Sequence, residues 1–302
     1  MKVFMTGGTG FVGSYMTRQF TRLGHEVIVL TRSAAKGRKL PAGASVVKGD
    51  PKKPGSWQEK VGECDVIINL AGVSIFTPWT EKARRAIMES RVLTTRYLVD
   101  ALAARQTEAV LLNGSAVGYY GGYEDDTVLD ESSPPGSDFL SEVGQNWEAE
   151  ARRAEAFGVR VVLCRFGIVM GKEGGALEKM VTPFRYFLGS PLGSGKQWFP
   201  WIHEEDLFRI MLFLAENKHI AGPVNCTAPN PVRNEEMTRL LAKALQRFVI
   251  LPAVPGFVLK TVLGEFGDVL LKGQRAVPKR LLDEGFQFKF PTFYEAIQDL
   301  LK

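Results

Sequence analysis

Through the first half of the chain, short apolar runs alternate with longer stretches in which apolar residues recur at helical spacing. Such alternation predicts βαβ units around a parallel sheet, because parallel neighbours need a crossover helix between them. Strands are expected at Lys2–Met5, Glu26–Leu30, Ser45–Lys48, Val66–Leu70, Ala109–Asn113 and Val159–Arg165. The fourth has the continuous apolar look of a strand buried on both faces. Helices are expected after the first strand through about Leu23, over Glu81–Ala103 and over Ser141–Phe157. Past Gly171 the pattern changes. The stretch from Pro191 to Trp201 is punctuated by Pro and Gly but carries Trp198, Phe199 and Trp201, so it reads as an ordered loop. Helices follow at Glu204–Asn217, Asn234–Leu245, Phe257–Lys272 and Phe293–Leu301. The pattern as a whole predicts an α/β fold with a doubly wound parallel sheet over residues 1–170. A smaller, helix-rich lobe covers 171–302, with a sheet contribution from about 222–228.

Composition narrows the picture only a little. A chain of 302 residues with 45% hydrophobic and 24% charged residues is ordinary for a globular protein, which excludes disordered and fibrous classes. It has no run of about 18 apolar residues to span a bilayer, and the N-terminus turns glycine-rich before a signal-peptide core could form. A cytoplasmic location without a membrane partner is therefore expected. The net charge of +5 is spread without a basic block, which favours an anionic small ligand over nucleic acid. Cys64, Cys164 and Cys226 are widely separated and read as buried thiols. His25, His203 and His219 lack metal-ligand spacing, so no metal is expected.

Thr6-Gly7-Gly8-Thr9-Gly10-Phe11-Val12-Gly13 follows an apolar strand and opens a helix, the context a dinucleotide fingerprint requires. Gly7 permits the tight turn, Gly10 lets the backbone approach a pyrophosphate, and Gly13 lets helix and strand pack closely. The helix N-terminus favours the negative charge. Thr9, Phe11 and Val12 belong to the same cradle. These features make the expected fold Rossmann-type. At the end of the second strand, Val27–Leu30 runs into Thr31-Arg32-Ser33 with no acid for a ribose 2′-hydroxyl. Arg32 offers the planar fork suited to a 2′-phosphate, with Lys36 and Arg38 adding to the field, so NADP(H) is the expected cofactor.

The residues resemble the extended short-chain dehydrogenase/reductases, and specifically their atypical epimerase-like branch, also labelled nucleoside-diphosphate-sugar epimerase-like or cell-division inhibitor. The resemblance covers nearly the whole chain. It rests on Thr6–Gly13, Asn69-Leu-Ala-Gly72, Ser90-Arg91, Gly114–Gly121, Arg165–Gly171, Pro191–His203, Asn225–Val232, Gly273-Gln-Arg275 and Gly285–Phe288. It implies that Leu70 and Ala71 line the adenine-ribose side of the cofactor, that Arg91 reaches the cofactor, and that Val169 meets the nicotinamide amide. Asp50 is either an adenine contact or a turn former before Pro51.

One departure stands out. Ordinary members of this superfamily transfer hydride with a Tyr-x-x-x-Lys pair plus a Ser or Thr, the lysine lowering the tyrosine pKa from near 10. Aligning the helix on Glu148 puts Leu140 and Gly144 at the pair positions. Ser115 matches the serine, and Tyr119 and Tyr120 follow it; Ser115 and Tyr119 are the candidate catalytic residues. Glu142 and His203 are further acid–base candidates, His203 also suiting a helix cap, while Asp206 reads as structural. The leading expectation is an NADP(H)-dependent oxidoreductase or epimerase-like enzyme, its small-molecule substrate lying against Trp198, Phe199 and Trp201 unless these only anchor the loop. The alternative is a non-catalytic NADPH-binding or redox-sensing protein acting through a protein partner.

Overall fold

The computed structural model describes residues 1–33, 40–103 and 108–302. Among these, seven strands form one wholly parallel sheet: β1 (Lys2–Thr6), β2 (Glu26–Thr31), β3 (Ala44–Lys48), β4 (Val66–Asn69), β5 (Val110–Ala116), β6 (Arg160–Phe166) and β7 (Gly222–Cys226). Their spatial order is β7-β6-β5-β4-β1-β2-β3. The order reverses between β1 and β4, whose registered ends are Thr6 and Asn69. Val3, Phe4 and Met5 are fully buried, as the continuous apolar run requires of a strand covered on both faces.

The helices are α1 (Phe11–Arg22), α2 (Trp57–Gly62), α3 (Glu81–Leu102), α4 (Phe139–Arg152), α5 (Gly175–Arg185), α6 (Glu204–Glu216), α7 (Asn234–Ala244), α8 (Gly256–Leu263), α9 (Phe266–Leu271), α10 (Lys279–Asp283) and α11 (Phe293–Leu300). Met16 and Phe20 of α1, Leu207 and Met211 of α6 and Ile297 of α11 pack on one face of the sheet. Trp57 of α2, Leu98 and Leu102 of α3 and Ala151 of α4 pack on the other. This is the doubly wound arrangement expected, with α7–α11 forming most of a smaller helical region.

Three departures from the sequence pattern have local causes. The helix expected over Phe257–Lys272 is two, α8 and α9, because Gly264 takes φ +60° and breaks the ladder. The helix expected from Ser141 starts at Phe139, where the Asp138 side chain caps it by accepting the Ser141 N–H at 2.9 Å. It ends in a 3-10 turn over Arg153–Phe157. Helix α5 was not foreseen, since Gly174, Gly175 and Pro183 punctuate its sequence. The Pro191–Trp201 loop is ordered: Trp198–Phe199 pairs antiparallel with Val232–Arg233, and the following Trp201–His203 pairs parallel with Ile168–Met170.

Candidate cofactor site

The turn after β1 is built as a cradle. Gly7 takes φ +70°, and a Cβ there would lie 2.6 Å from the Leu70 carbonyl carbon. At Gly13 a Cβ would lie 2.2 Å from the Gly7 oxygen, so the helix and turn approach as only two glycines allow. Gly10 differs: it is exposed, and a Cβ would meet only the Gly7 oxygen, at 3.2 Å. Helix α1 starts there without a side-chain cap and without an acidic residue in its first turn. Its first N–H groups therefore carry no carboxylate of their own turn to repel an anion, which fits a pyrophosphate. Thr9 and Val12 are half-buried beside it, and the Phe11 ring fills the space next to Gly175, where a Cβ would lie 2.5 Å away.

A buried polar ladder fixes the strand ends around this cradle. The Thr6 hydroxyl donates to Asn69 Oδ1 at 2.6 Å and accepts the N–H groups of Leu70 and Ala71, both at 3.2 Å. Asn69 Nδ2 donates onward to Asn113 Oδ1 at 2.7 Å and to Thr95 Oγ1 at 2.8 Å. Leu70 and Ala71 thus hold fixed backbone positions on the β4 side of the crevice. Next to them, Arg91 donates to the carbonyls of Val73 and Ile87 at 3.2 Å and lies 5.2 Å from the Trp147 ring centroid. No carboxylate among the described residues pairs with it. Burial pushes its pKa down to about 10, so the guanidinium stays charged at neutral pH.

On the other side, Thr31 is buried and Arg32 exposed at the end of β2. Lys36 and Arg38 lie outside the described residues. Asp50 forms a turn, its side chain accepting the Lys52 N–H at 3.1 Å. Val169 sits in the short strand after β6, in register with Ile202.

The catalytic candidates enter a buried network. Ser115 Oγ donates to Glu148 Oε1 at 2.7 Å, and Glu148 holds Arg165 through two bonds of 2.8 Å. Arg165 also donates to the Tyr120 hydroxyl at 3.0 Å, which donates to Asn225 Oδ1 at 2.7 Å. Burial pushes the Tyr120 phenol up to about 12, which disqualifies it as a base at neutral pH. The Arg165 guanidinium lies 3.6 Å from the centroid of the Tyr119 ring. Tyr119 also packs on Gly144, where a Cβ would lie 3.2 Å from the Tyr119 Cα. The turn after β5 thus occupies the space into which a longer side chain at 144 would project. Glu148 serves the sequence alignment only as an anchor, and its place in this network is not legible there; Arg165, a charged residue closing the apolar run of β6, was the available signal.

Most of the remaining candidates are held in packing or capping contacts. Trp201 is fully buried, its Nε1 donating to the Asn230 carbonyl, and Phe199 and Trp201 both pack on Phe293. Trp198 lies between the Arg233 and Arg275 guanidiniums, 4.7 Å from each, and donates to Asp126. Asp206 accepts the N–H groups of Lys289 and Phe290, both at 2.8 Å. Glu142 is exposed on α4. His203 caps α6: its Nδ1 accepts the Glu205 N–H at 3.0 Å, which leaves the proton on Nε2, 3.5 Å from Asp299. Burial lowers its pKa below 6.5, against the opposing pull of Asp206, Asp299 and Glu205. The unfolded chain therefore takes up a proton that the folded one refuses, so this contribution to stability is full above the unfolded pKa and is lost as pH falls from there through the folded pKa. Tm is expected to decline from about pH 7 to about pH 5, with a shallower decline in His203→Asn, which can still cap. Parallel profiles for the two proteins would exclude His203 as the cause.

A glycine turn that opens an uncapped helix at the point where a parallel sheet reverses its strand order defines a dinucleotide-binding Rossmann protein. Comparison with known proteins carries this one step further. The chain belongs to the NAD dependent epimerase/dehydratase family, which it matches over residues 3–226, while residues 254–300 match a domain of unknown function (DUF1731). Epimerase family protein YfhF of Bacillus subtilis is 39% identical over 303 residues, spanning all of this chain and 98% of the relative. The chloroplastic SDR39U1 homolog of Arabidopsis thaliana is 40% identical over 305 residues, spanning all of this chain and 87% of that protein. The crystal structure of human epimerase family protein SDR39U1 (isoform 2) with NADPH superposes with a TM-score of 0.84 at 33% identity, over 99% of both chains.

Proposed function

We propose that this protein is an NADP(H)-dependent oxidoreductase acting on a small-molecule substrate, and that it handles protons without a Tyr-x-x-x-Lys pair. The observation that carries the cofactor assignment is Arg32, an exposed guanidinium at the end of β2 where an acid would select NAD. The NADPH in the human relative's structure supports the same reading. In it, Gly7, Gly10 and Gly13 with the α1 N–H groups hold the pyrophosphate, and Arg32 with Thr31 meets the 2′-phosphate. Leu70, Ala71 and Arg91 line the β4 side, and Val169 lies toward the nicotinamide. When bound, the reduced cofactor supplies a hydride.

Tyr119 is assigned the proton, since its hydroxyl bonds none of the described residues, whereas Tyr120 is tied to Asn225. Ser115 donates to Glu148, which leaves the lone pairs of its Oγ to accept a hydrogen bond. Calorimetric titration is expected to give tight NADPH binding and at least roughly tenfold weaker NADH, with Arg32→Ala closing the gap. Equal affinities in the native protein would overturn the NADP assignment. Tyr119→Phe should stop hydride transfer from labelled NADPH in a carbonyl screen without changing NADPH affinity; unaltered turnover would remove Tyr119 from the mechanism. The packing of Tyr119 on Gly144 favours a second reading, a cofactor-binding protein without turnover. Tight NADPH binding with no hydride exchange to any carbonyl would support it.

A further inference from the structure

The C-terminal region carries an exposed apolar face that the cofactor crevice does not use. Tyr186, Phe187 and Leu188 follow α5, Phe248 and Ile250 follow α7, and these five are 51% to 77% exposed. Phe257 and Val262 of α8 are each 72% exposed. The segments adjoin: the Arg247 guanidinium lies 5.0 Å from the Phe187 ring centroid, and the Val254 N–H donates to the Pro191 carbonyl at 2.9 Å.

Two turns on this face are strained in a way that displays their side chains. Helices α5 and α7 each end in a left-handed residue, Phe187 at φ 60° and Gln246 at φ 54°. Both ends close by a backbone bond of 2.9 Å, from Leu188 to Pro183 and from Arg247 to Ala242. Glycine is the usual occupant of that position, and a bulky ring there is an outlier.

The unpaired charges toward the C-terminal ends of α5 and α7 and on the turns after them are of one sign. None of the chain's 33 acidic residues falls within 179–196 or 237–263. Arg185, Arg239, Lys243 and Arg247 are exposed, and none pairs with a carboxylate among the described residues. Lys260 does, with Asp268 at 2.8 Å. A second copy docked by two-fold symmetry would set these cations against their equivalents, with no carboxylate from either segment between them. Aromatic and aliphatic side chains on turns, with the unpaired Arg185, Arg239, Lys243 and Arg247 beside them, match an anionic lipid surface.

We propose that this face docks the protein on bilayers rich in anionic phospholipid, with Phe187 and Phe248 entering the interface and Arg185 and Arg247 meeting headgroup phosphates. No described helix is long and apolar enough to cross a membrane, and surface docking requires none. The sequence-based expectation of no membrane partner considered spanning segments only.

Sedimentation of the full chain with phosphatidylglycerol-containing vesicles, against phosphatidylcholine alone, tests the proposal. Binding should rise with phosphatidylglycerol content and fall severalfold when salt is raised from about 0.1 M to about 0.5 M. Arg185→Gln with Arg247→Gln should weaken it roughly thirtyfold. Phe187→Gly, which suits the left-handed turn, combined with Phe248→Ser should weaken it at least tenfold, and melting curves should show both variants folded. Three results would overturn the proposal: no vesicle binding, binding indifferent to these substitutions, or self-association abolished by the Phe187→Gly/Phe248→Ser pair.

Discussion

Replacing Gly10 by leucine is expected to abolish dinucleotide binding and leave the fold intact. The backbone at Gly10 has φ −84° and ψ 179°, which any residue adopts, and its N–H keeps the bond of 2.9 Å to the Gly7 carbonyl. A Cβ there meets only that carbonyl oxygen, so the rest of the leucine projects into the open cradle where the pyrophosphate would lie. Calorimetry should detect no NADPH binding, and the melting temperature should stay within about 2 °C of the parent. Gly13 makes the contrast, because its Cβ would strike backbone at 2.2 Å and any loss of binding would be mixed with loss of fold. Parental affinity in Gly10→Leu would move the cofactor away from this turn.

Glu148→Ala should be the most damaging single change to stability, lowering it by about 3–5 kcal/mol. The Glu148 and Arg165 side chains are only 4% and 3% exposed, and removing the acid strands a guanidinium that cannot lose its proton. It also takes the acceptor from Ser115. For a chain of this size the melting temperature should fall by about 10 °C. Replacing Glu148 and Arg165 together by methionine should recover most of the loss, because an uncompensated buried charge is worse than no charge at all. A single-variant loss below about 1 kcal/mol would show the pair to be energetically minor.

What was legible in the sequence is what is local. The first six strands of the sheet appear as short runs rich in apolar residues, weakest at β3 with Ala-Ser-Val-Val-Lys, and the three glycines with Arg32 lie within single turns. Helix α5 was hidden because glycine and proline within it read as breakers, and tertiary packing of Leu177, Val181 and Phe184 overrides them. Conversely, Gly264 lies inside an apolar stretch that reads as one helix, and its positive φ makes the break between α8 and α9. The polar network was illegible for another reason. Ser115, Tyr120, Glu148, Arg165 and Asn225 come from three strands, a turn and a helix, and each alone resembles an ordinary polar residue of its element. No short-range pattern records that they converge.

The last strand of the sheet has a consequence for how the chain is made. β7 lies against β6, yet residues 222–226 are translated only after α5, the aromatic loop and α6. Until then the outer edge of β6, with Val161, Val162 and Leu163 behind it, has no partner and is open to pairing with another nascent chain. The parallel sheet of the cofactor-binding half therefore reaches its seventh strand only when residues 222–226 have been made. That edge strand belongs to the segment that leads into the C-terminal helices, so the chain's last third supplies the border of the sheet on which the crevice is built.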